Sequence, residues 1–366
     1  MPPAVAAFTD TYLPTVNGVT YTIASWRDRY EDRGGRMDVV YPRSEYEPSR
    51  GEHPVRSLPF PFYDGYRLGL PEIPSAVSDI DVVHAHTPFT VGFSGYRLSK
   101  REEVPLVVSY HTPTREYANY VAPDGLEEVI GEASDRYERW FLANADLVLA
   151  PSDVTRDSLE GDLDGDVPVR TVPNGVDVKH FRPVKTGGFD RRYGISHDRT
   201  VIGYTGRHGF EKNLDSILEA AASLDVQVVF GGDGPARSHL EHRARELSVD
   251  ANFLGFLDRE ELPEFYSTLD VFVFPSPIET EGLVALEANA CGTPVVGVDR
   301  GALSETIRAG ETGYHFEPGD VEGLRSAIRK VVADSQRLSE QCLKRRDELS
   351  VDTALDRLEV AFETVL

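Results

Sequence analysis

Phe274-Pro275-Ser276-Pro277-Ile278-Glu279-Thr280-Glu281-Gly282-Leu283-Val284-Ala285-Leu286-Glu287-Ala288 leaves an apolar strand, turns, and opens a helix at about Gly282. The first amides of a helix lack intrahelical partners, and the aligned peptide dipoles add partial positive charge there. A glycine at that tip lets an anion approach closely, so the segment reads as a diphosphate site. Glu287 falls about one turn into the helix, where a carboxylate can accept from two ribose hydroxyls. Glu279, on the loop, can do the same for sugar hydroxyls. In a chain with 61 acidic residues two glutamates alone say little, and the strand-turn-helix context carries the reading.

The same scheme recurs on both sides of this segment. Strands are expected at Val5–Phe8, Met37–Tyr41, Asp81–Val83, Leu106–Ser109, Leu147–Ala150 and Val169–Val172. A second series is expected at Val201–Tyr204, Val226–Phe230, Val271–Phe274 and Pro294–Val298. Helical patterns cover Val19–Tyr30, Leu126–Leu142, Asn213–Ser223, Pro235–Leu247, Leu283–Ala290, Val321–Ala333 and Thr353–Leu366. Alternating strands and helices imply parallel sheets covered on both faces, and apolar runs without strict alternation fit strands buried on both sides. At 366 residues the chain suits two such domains. The turn cluster Pro173-Asn174-Gly175-Val176-Asp177 marks the boundary. The expected domains are 1–175, joined by a returning helix 350–366, and 176–349.

Composition narrows the setting. The net charge is −23, and the acid is spread over both halves while only six lysines occur. Such a surface keeps a protein soluble where salt screens repulsion, which suggests a salt-rich cytoplasm and disfavours nucleic acid as a partner. No run approaches the roughly 18 apolar residues of a spanning helix, and the start has no basic leader. Cys291 and Cys342 do not make a disulfide framework, which fits a reducing cytoplasm. Asp162-Leu163-Asp164-Gly165-Asp166 lacks the rest of a calcium loop and reads as a solvated turn.

Ligands of open α/β sheets bind at the carboxyl ends of the strands. There the sequence puts Gly206-Arg207-His208-Gly209-Phe210-Glu211-Lys212-Asn213, with two cations suited to phosphate oxygens. An ion pair to Glu211 is the structural alternative for one of them, though weak for both. Phe230-Gly231-Gly232-Asp233-Gly234-Pro235 joins another strand to a helix and is a weak signal alone. In the first half, Asn17-Gly18 begins a helix and could present amides to a ligand, with a simple turn as the alternative. Ser109-Tyr110-His111-Thr112-Pro113 puts His111 at a strand end. His84 and His86 end another strand, where structural or acceptor-side roles are favoured over a metal pair that lacks a third ligand.

Together these residues resemble glycosyltransferase family 4, retaining enzymes with the GT-B fold: α/β, two Rossmann-like domains whose parallel sheets face a central cleft. The resemblance covers nearly the whole chain. Its E-x7-E element matches Glu279 and Glu287, its basic pair Arg207 and Lys212, its N-terminal glycine loop Asn17-Gly18, and its strand-end histidine His111. It implies catalytic roles for His111, Arg207, Lys212 and Glu279, and donor contacts from Asn17, Gly18, Gly206, Gly232, Gly234, Gly282, Leu283, Val284 and Glu287. It further implies a C-terminal donor domain, an N-terminal acceptor domain, no metal and no cofactor beyond a nucleotide diphosphate sugar as donor substrate. Thr9-Asp10-Thr11-Tyr12-Leu13-Pro14 and Tyr110-His111-Thr112-Pro113-Thr114-Arg115-Glu116-Tyr117 are similar to lipid-directed members, which puts His86, Arg115 and Tyr117 on the acceptor side. A lipid or glycan acceptor follows as partner; the apolar stretch Phe60–Leu70 could supply peripheral membrane contact, with a packed loop as its default reading. Glu281 stands where the family commonly carries phenylalanine and is expected to point away from the diphosphate. The rival readings are a nucleotide-sugar epimerase on the same fold and an inactive nucleotide-sugar-binding protein. A phosphorylase is disfavoured by the short chain.

Overall fold

The computed structural model describes residues 2–60, 66–114, 127–163, 165, 167–196 and 198–366. The chain divides into two compact units, one of 1–174 with Ala354–Leu366 and the other Gly175–Thr353.

In the first unit seven strands form a parallel sheet: β1 (Ala4–Phe8), β2 (Arg36–Pro42), β3 (Glu52–Val55), β6 (Val82–Ala85), β7 (Leu106–Ser109), β8 (Leu147–Ala150) and β9 (Val169–Thr171). Two short strands, β4 (Ser57–Pro59) and β5 (Arg67–Gly69), pair antiparallel beside it. The sheet order is β3-β2-β1-β6-β7-β8-β9. The chain therefore reverses direction across the sheet between β1 and β6, the point where such sheets open a crevice at their carboxyl edge. Val5, Ala6, Val82, Val83, Leu106 and Val107 are fully buried, as strands covered on both faces require. Asn17 caps the helix Gly18–Asp32 by accepting from Thr20 N at 2.8 Å. The helix Val351–Glu363 brings Phe362 edge-on to Tyr30 and His84, and Arg33 binds Asp356 and Glu359.

The second unit repeats the plan with β10 (Thr200–Thr205), β11 (Val226–Gly231), β12 (Ala251–Gly255), β13 (Val271–Phe274), β14 (Val295–Val298) and β15 (Gly313–Phe316). The order is β12-β11-β10-β13-β14-β15, all parallel, with the reversal between β10 and β13. One core runs through it, with Ile202, Val228, Phe230, Phe272, Val273 and Val296 among its wholly buried members.

Three strands of the large sheets have no counterpart in the expected list: β3, β12 and β15. They are edge strands, and β12 is half-buried throughout, so none carries the apolar run that marks an interior strand. The helix expected from Asn213 starts later, at Asp215. Asn213 is left-handed at φ 53°, closing a short 3₁₀ turn Phe210–Lys212. Among the described residues no helix is long and apolar enough to cross a membrane.

Candidate active site

The loops leaving β10 and β13, the two strands at the reversal of the second sheet, hold most of the expected donor residues. Lys212 Nζ donates to Glu279 Oε1 at 2.7 Å, tying the first loop to the second. Arg207 NH1 lies 3.3 Å from Glu211 Oε1. The ion pair to Glu211 weighed as the structural alternative for one cation is present at Arg207, whereas Lys212 pairs with Glu279 of the neighbouring loop. Tyr204, buried at the end of β10, lies among them. Burial, then the charges of Glu279 and Glu211, raises its phenol well above the usual range, and Arg207 pulls the other way.

Gly282 opens the helix Leu283–Ala290 at φ 84° as its N-cap residue. A Cβ there would meet Leu303 Cδ2 at 2.7 Å. Left-handed backbone and the close leucine both demand glycine. Leu283 and Val284 are half-buried at this tip. Glu281 is buried, and its carbonyl accepts from Thr306 Oγ1 at 2.5 Å. One turn on, Glu287 Oε2 accepts from Tyr266 OH at 2.6 Å. Burial pushes the Glu287 carboxyl up to about 7, against the opposing effects of that hydrogen bond and of Arg259.

The glycine loop after β11 presses against the loop after β10. A Cβ on Gly232 would sit 2.0 Å from Gly206 O, and one on Gly234 2.6 Å from His208 O. His208 N donates to Asp233 O, and Ala236 N to His208 O, each at 2.8 Å. Gly206, at φ 138°, lies over the Tyr204 hydroxyl. These glycines thus seat two edge loops on one another.

In the first unit Asn17 has both polar atoms engaged, Oδ1 on Thr20 N and Nδ2 on Thr11 Oγ1, each at 2.8 Å. Asp10, buried behind β1, accepts from Thr87 Oγ1, Thr90 Oγ1, Val91 N and Gly92 N at 2.6–3.2 Å. It caps the helix Thr90–Glu102, whose N-cap residue Phe89 has no side-chain acceptor to offer the first turn. His111 follows β7 and meets His86 nitrogen to nitrogen. Burial lowers His111 to about 4 and His84 to about 3, so both rings are neutral at pH 7. Glu138, from the helix Glu127–Leu142, accepts from Tyr110 OH and Thr114 N and so clasps the segment around His111. Arg115 and Tyr117 lie outside the described residues, as do 61–65 of the apolar stretch, Asp164 and Asp166. Three pairings have no signature in sequence spacing: His86 with His111, Glu138 with Thr114, and Tyr266 with Glu287.

Two family models meet end to end over this architecture: Glycosyltransferase Family 4 matches residues 16–180, and Glycosyl transferases group 1 matches 188–348. A GDP-mannose-dependent alpha-mannosyltransferase of Mycobacterium tuberculosis is 31% identical over 347 residues, 91% of this chain and 89% of its own. The chain belongs to glycosyltransferase family 4. It is a glycosyltransferase, and its α/β architecture is the GT-B fold. Sulfoquinovosyl transferase SQD2 of Arabidopsis thaliana is 32% identical over 294 residues, covering 77% of this family 4 enzyme. That match spans only 56% of the plant protein's length. Alpha-monoglucosyldiacylglycerol synthase of Streptococcus pneumoniae is 29% identical over 83% of the chain and 73% of its own. Among solved structures, a sucrose-phosphate synthase from Thermosynechococcus elongatus superposes with TM-score 0.80 at 21% identity, covering 99% and 98% of the two chains. Anabaena HepE, solved with UDP and glucose, gives 0.78 at 18% identity over 99% and 100%.

Proposed function

We propose that this family 4 enzyme moves a hexose from a nucleotide diphosphate sugar to a hydroxyl of a membrane lipid or lipid-linked glycan, with retention at the anomeric carbon. The observation that carries the reading is the Lys212–Glu279 contact at the carboxyl edge of β10 and β13, three residues ahead of the helix start at Gly282. A cation, a carboxylate for sugar hydroxyls and a run of helix amides then belong to one edge. The names of relatives support the substrate classes: one uses GDP-mannose, one makes a glucosylated diacylglycerol, and one solved neighbour binds UDP and glucose.

On this reading the second unit holds the donor and the first the acceptor. As the glycosidic bond breaks, negative charge grows on the leaving diphosphate. Lys212, Arg207 and the amides after Gly282 stabilise that charge, and donors aimed at developing charge are the strongest single contribution in such sites. The leaving phosphate oxygen takes the acceptor proton. Glu279, held by Lys212, accepts from sugar hydroxyls; Glu287, held by Tyr266, accepts from the ribose; His111 orients the sugar. The two cations supply the counter-charge that a divalent ion would otherwise provide. The enzyme is then cytoplasmic, with peripheral contact to the membrane that carries its acceptor.

The test is incubation with a panel of nucleotide sugars, with and without lipid extract, reading released nucleoside diphosphate and the anomeric configuration of the product. Release that depends on lipid, with an axial donor giving an axial product, supports the proposal. Inverted product, or sugar isomerised without any acceptor, overturns it.

A further inference from the structure

β10 and β11 run parallel with Thr205 opposite Gly231, so the loops after them leave the sheet side by side. Gly206 N continues the ladder by donating to Gly231 O at 3.2 Å. His208, two residues on, returns to the same carbonyl, with its Nε2 3.1 Å from Gly231 O. Its backbone is tied as well, N donating to Asp233 O and O accepting from Ala236 N, each at 2.8 Å. Arg207 stands between these two anchored residues, and its own carbonyl accepts from Tyr204 OH at 3.4 Å.

The His208 ring is wholly buried. It meets Phe230 and Phe253 edge to face at 5.9 and 6.4 Å between centroids, and those two rings stack on each other at 4.9 Å. An apolar side chain of similar bulk would suit these neighbours without the cost of taking a polar ring out of water. What the imidazole adds is a donor. Burial lowers its pKa, outweighing the Gly231 hydrogen bond, so the ring is neutral at pH 7 with one proton to place. A carbonyl only accepts, so that proton sits on Nε2; the other tautomer would set a lone pair against the Gly231 oxygen. The two lone pairs of Gly231 O are then taken by the residues on either side of Arg207.

We propose that His208 is a positioning residue for Arg207: its Nε2–H and the Gly206 amide clamp the residues on either side of Arg207 to the Gly231 carbonyl and fix the backbone from which the guanidinium reaches a diphosphate. The role toward a diphosphate rests on the glycosyltransfer reading above; the clamp does not. A cation that stabilises charge as it develops must be in place beforehand. A displacement of about 1 Å can cost about 10²-fold in rate. The rest of the His208 side chain fills a core, and only its donor reaches the loop that carries the cation.

The experiment uses the full chain. Long-range ¹H–¹⁵N spectra of ¹⁵N-histidine protein near pH 7, with the ten histidines resolved by single substitutions, are expected to show His208 protonated on Nε2 alone. His208→Leu is expected to fold and to quicken amide exchange at Gly206. With the donor found by the panel, it should lower kcat by about tenfold or more while donor KM changes less than about threefold. His208→Gln, whose amide nitrogen donates from nearly the place of Nε2, should restore most of kcat. In an Arg207→Ala background His208→Leu should cost less than about twofold, because the residue it positions is gone. A ring that merely fills the core would cost the same factor in both backgrounds. A wild-type His208 protonated on Nδ1 overturns the proposal. So do wild-type kcat in folded His208→Leu, a Gln variant as impaired as the Leu variant, or losses that multiply with Arg207→Ala. Where His208→Leu fails to fold, the wild-type tautomer and the kcat of His208→Gln decide. Absence of transfer from every donor condemns the reading of function and leaves the clamp to the spectrum and the exchange rates.

Discussion

Lys212 Nζ sits 2.7 Å from Glu279 Oε1, so a cation from the loop after β10 and a carboxylate from the loop after β13 are one unit before any ligand arrives. Groups that act as a unit give non-additive losses. Lys212→Ala and Arg207→Ala are each expected to lower kcat by about 10²–10³, the usual effect of removing one stabiliser of developing charge. Lys212→Ala combined with Glu279→Ala should be about as impaired as the worse single variant. Steady-state kinetics with the donor identified by the panel check this. Losses that multiply across the pair would show that the contact has no role in transfer. Activity is also expected to survive EDTA, since the two side chains supply the positive charge.

Glu287 gives a pH signature. Its carboxyl is raised from the usual 4.5 to about 7, first by burial. The folded state then binds a proton more tightly than the unfolded state, so this group favours folding most when protonated. That contribution is lost as pH rises from about 4.5 through about 7. Glu287→Gln should flatten this part of the stability curve, removing a slope of order 1 to 3 kcal/mol across the window. Melting temperatures of both proteins between pH 4.5 and 8 check it. Donor KM should fall in the wild type as pH rises through 7, because only the carboxylate accepts from both ribose hydroxyls, and the variant should lose that trend. Parallel stability curves would refute the assignment.

How far the sequence discloses all this depends on the range of the interaction. Interior strands such as Val271–Phe274 announce themselves because burial on both faces forces a continuous apolar run. Gly282 and Lys212 can be placed at a sheet edge because each directly follows such a strand. Edge strands such as β12 stay hidden, since a half-buried strand needs no such run. Contacts between remote segments are hidden too. Tyr266 looks like one more apolar residue of the helix Leu262–Thr268, and only packing shows that it holds Glu287. The Gly232 loop looks like a ligand loop, yet its small residues are first needed for backbone contact with Gly206.

Asp10 is the clearest case of a residue whose motif conceals a structural task. Its carboxylate satisfies two hydroxyls and two helix amides from residues 87–92, and burial raises its pKa in spite of them. Asp10→Asn replaces one accepting oxygen with an NH₂ that faces donors. The expected loss is about 2–4 kcal/mol in urea unfolding, within the range for a broken buried network. Hydrogen exchange at Val91 and Gly92 should quicken along with it. A loss below about 0.5 kcal/mol, the scale of ordinary surface substitutions, would show the helix start to be held by other means.

Gly232 separates a steric demand from a merely conformational one. It stands at φ 100°, and an added Cβ would lie 2.0 Å from the carbonyl oxygen of Gly206, which is backbone and cannot swing aside. Gly232 N also donates to Gly255 O at 2.7 Å, so the residue is held from the other side as well. Gly194 has a comparable left-handed φ of 65° but nothing within 4 Å of its Cβ position. Gly194→Ala is therefore expected to cost about 1–2 kcal/mol from backbone strain alone. Gly232→Ala adds a clash that must part the two edge loops, for a total of about 3 kcal/mol or more. Because the first of those loops carries Arg207 and Lys212, donor affinity should weaken in Gly232→Ala and stay unchanged in Gly194→Ala. Urea unfolding and donor titration of the two variants side by side check both parts. Equal costs would mean that the loops are free to separate, and with that the account of how the cations are positioned would fail.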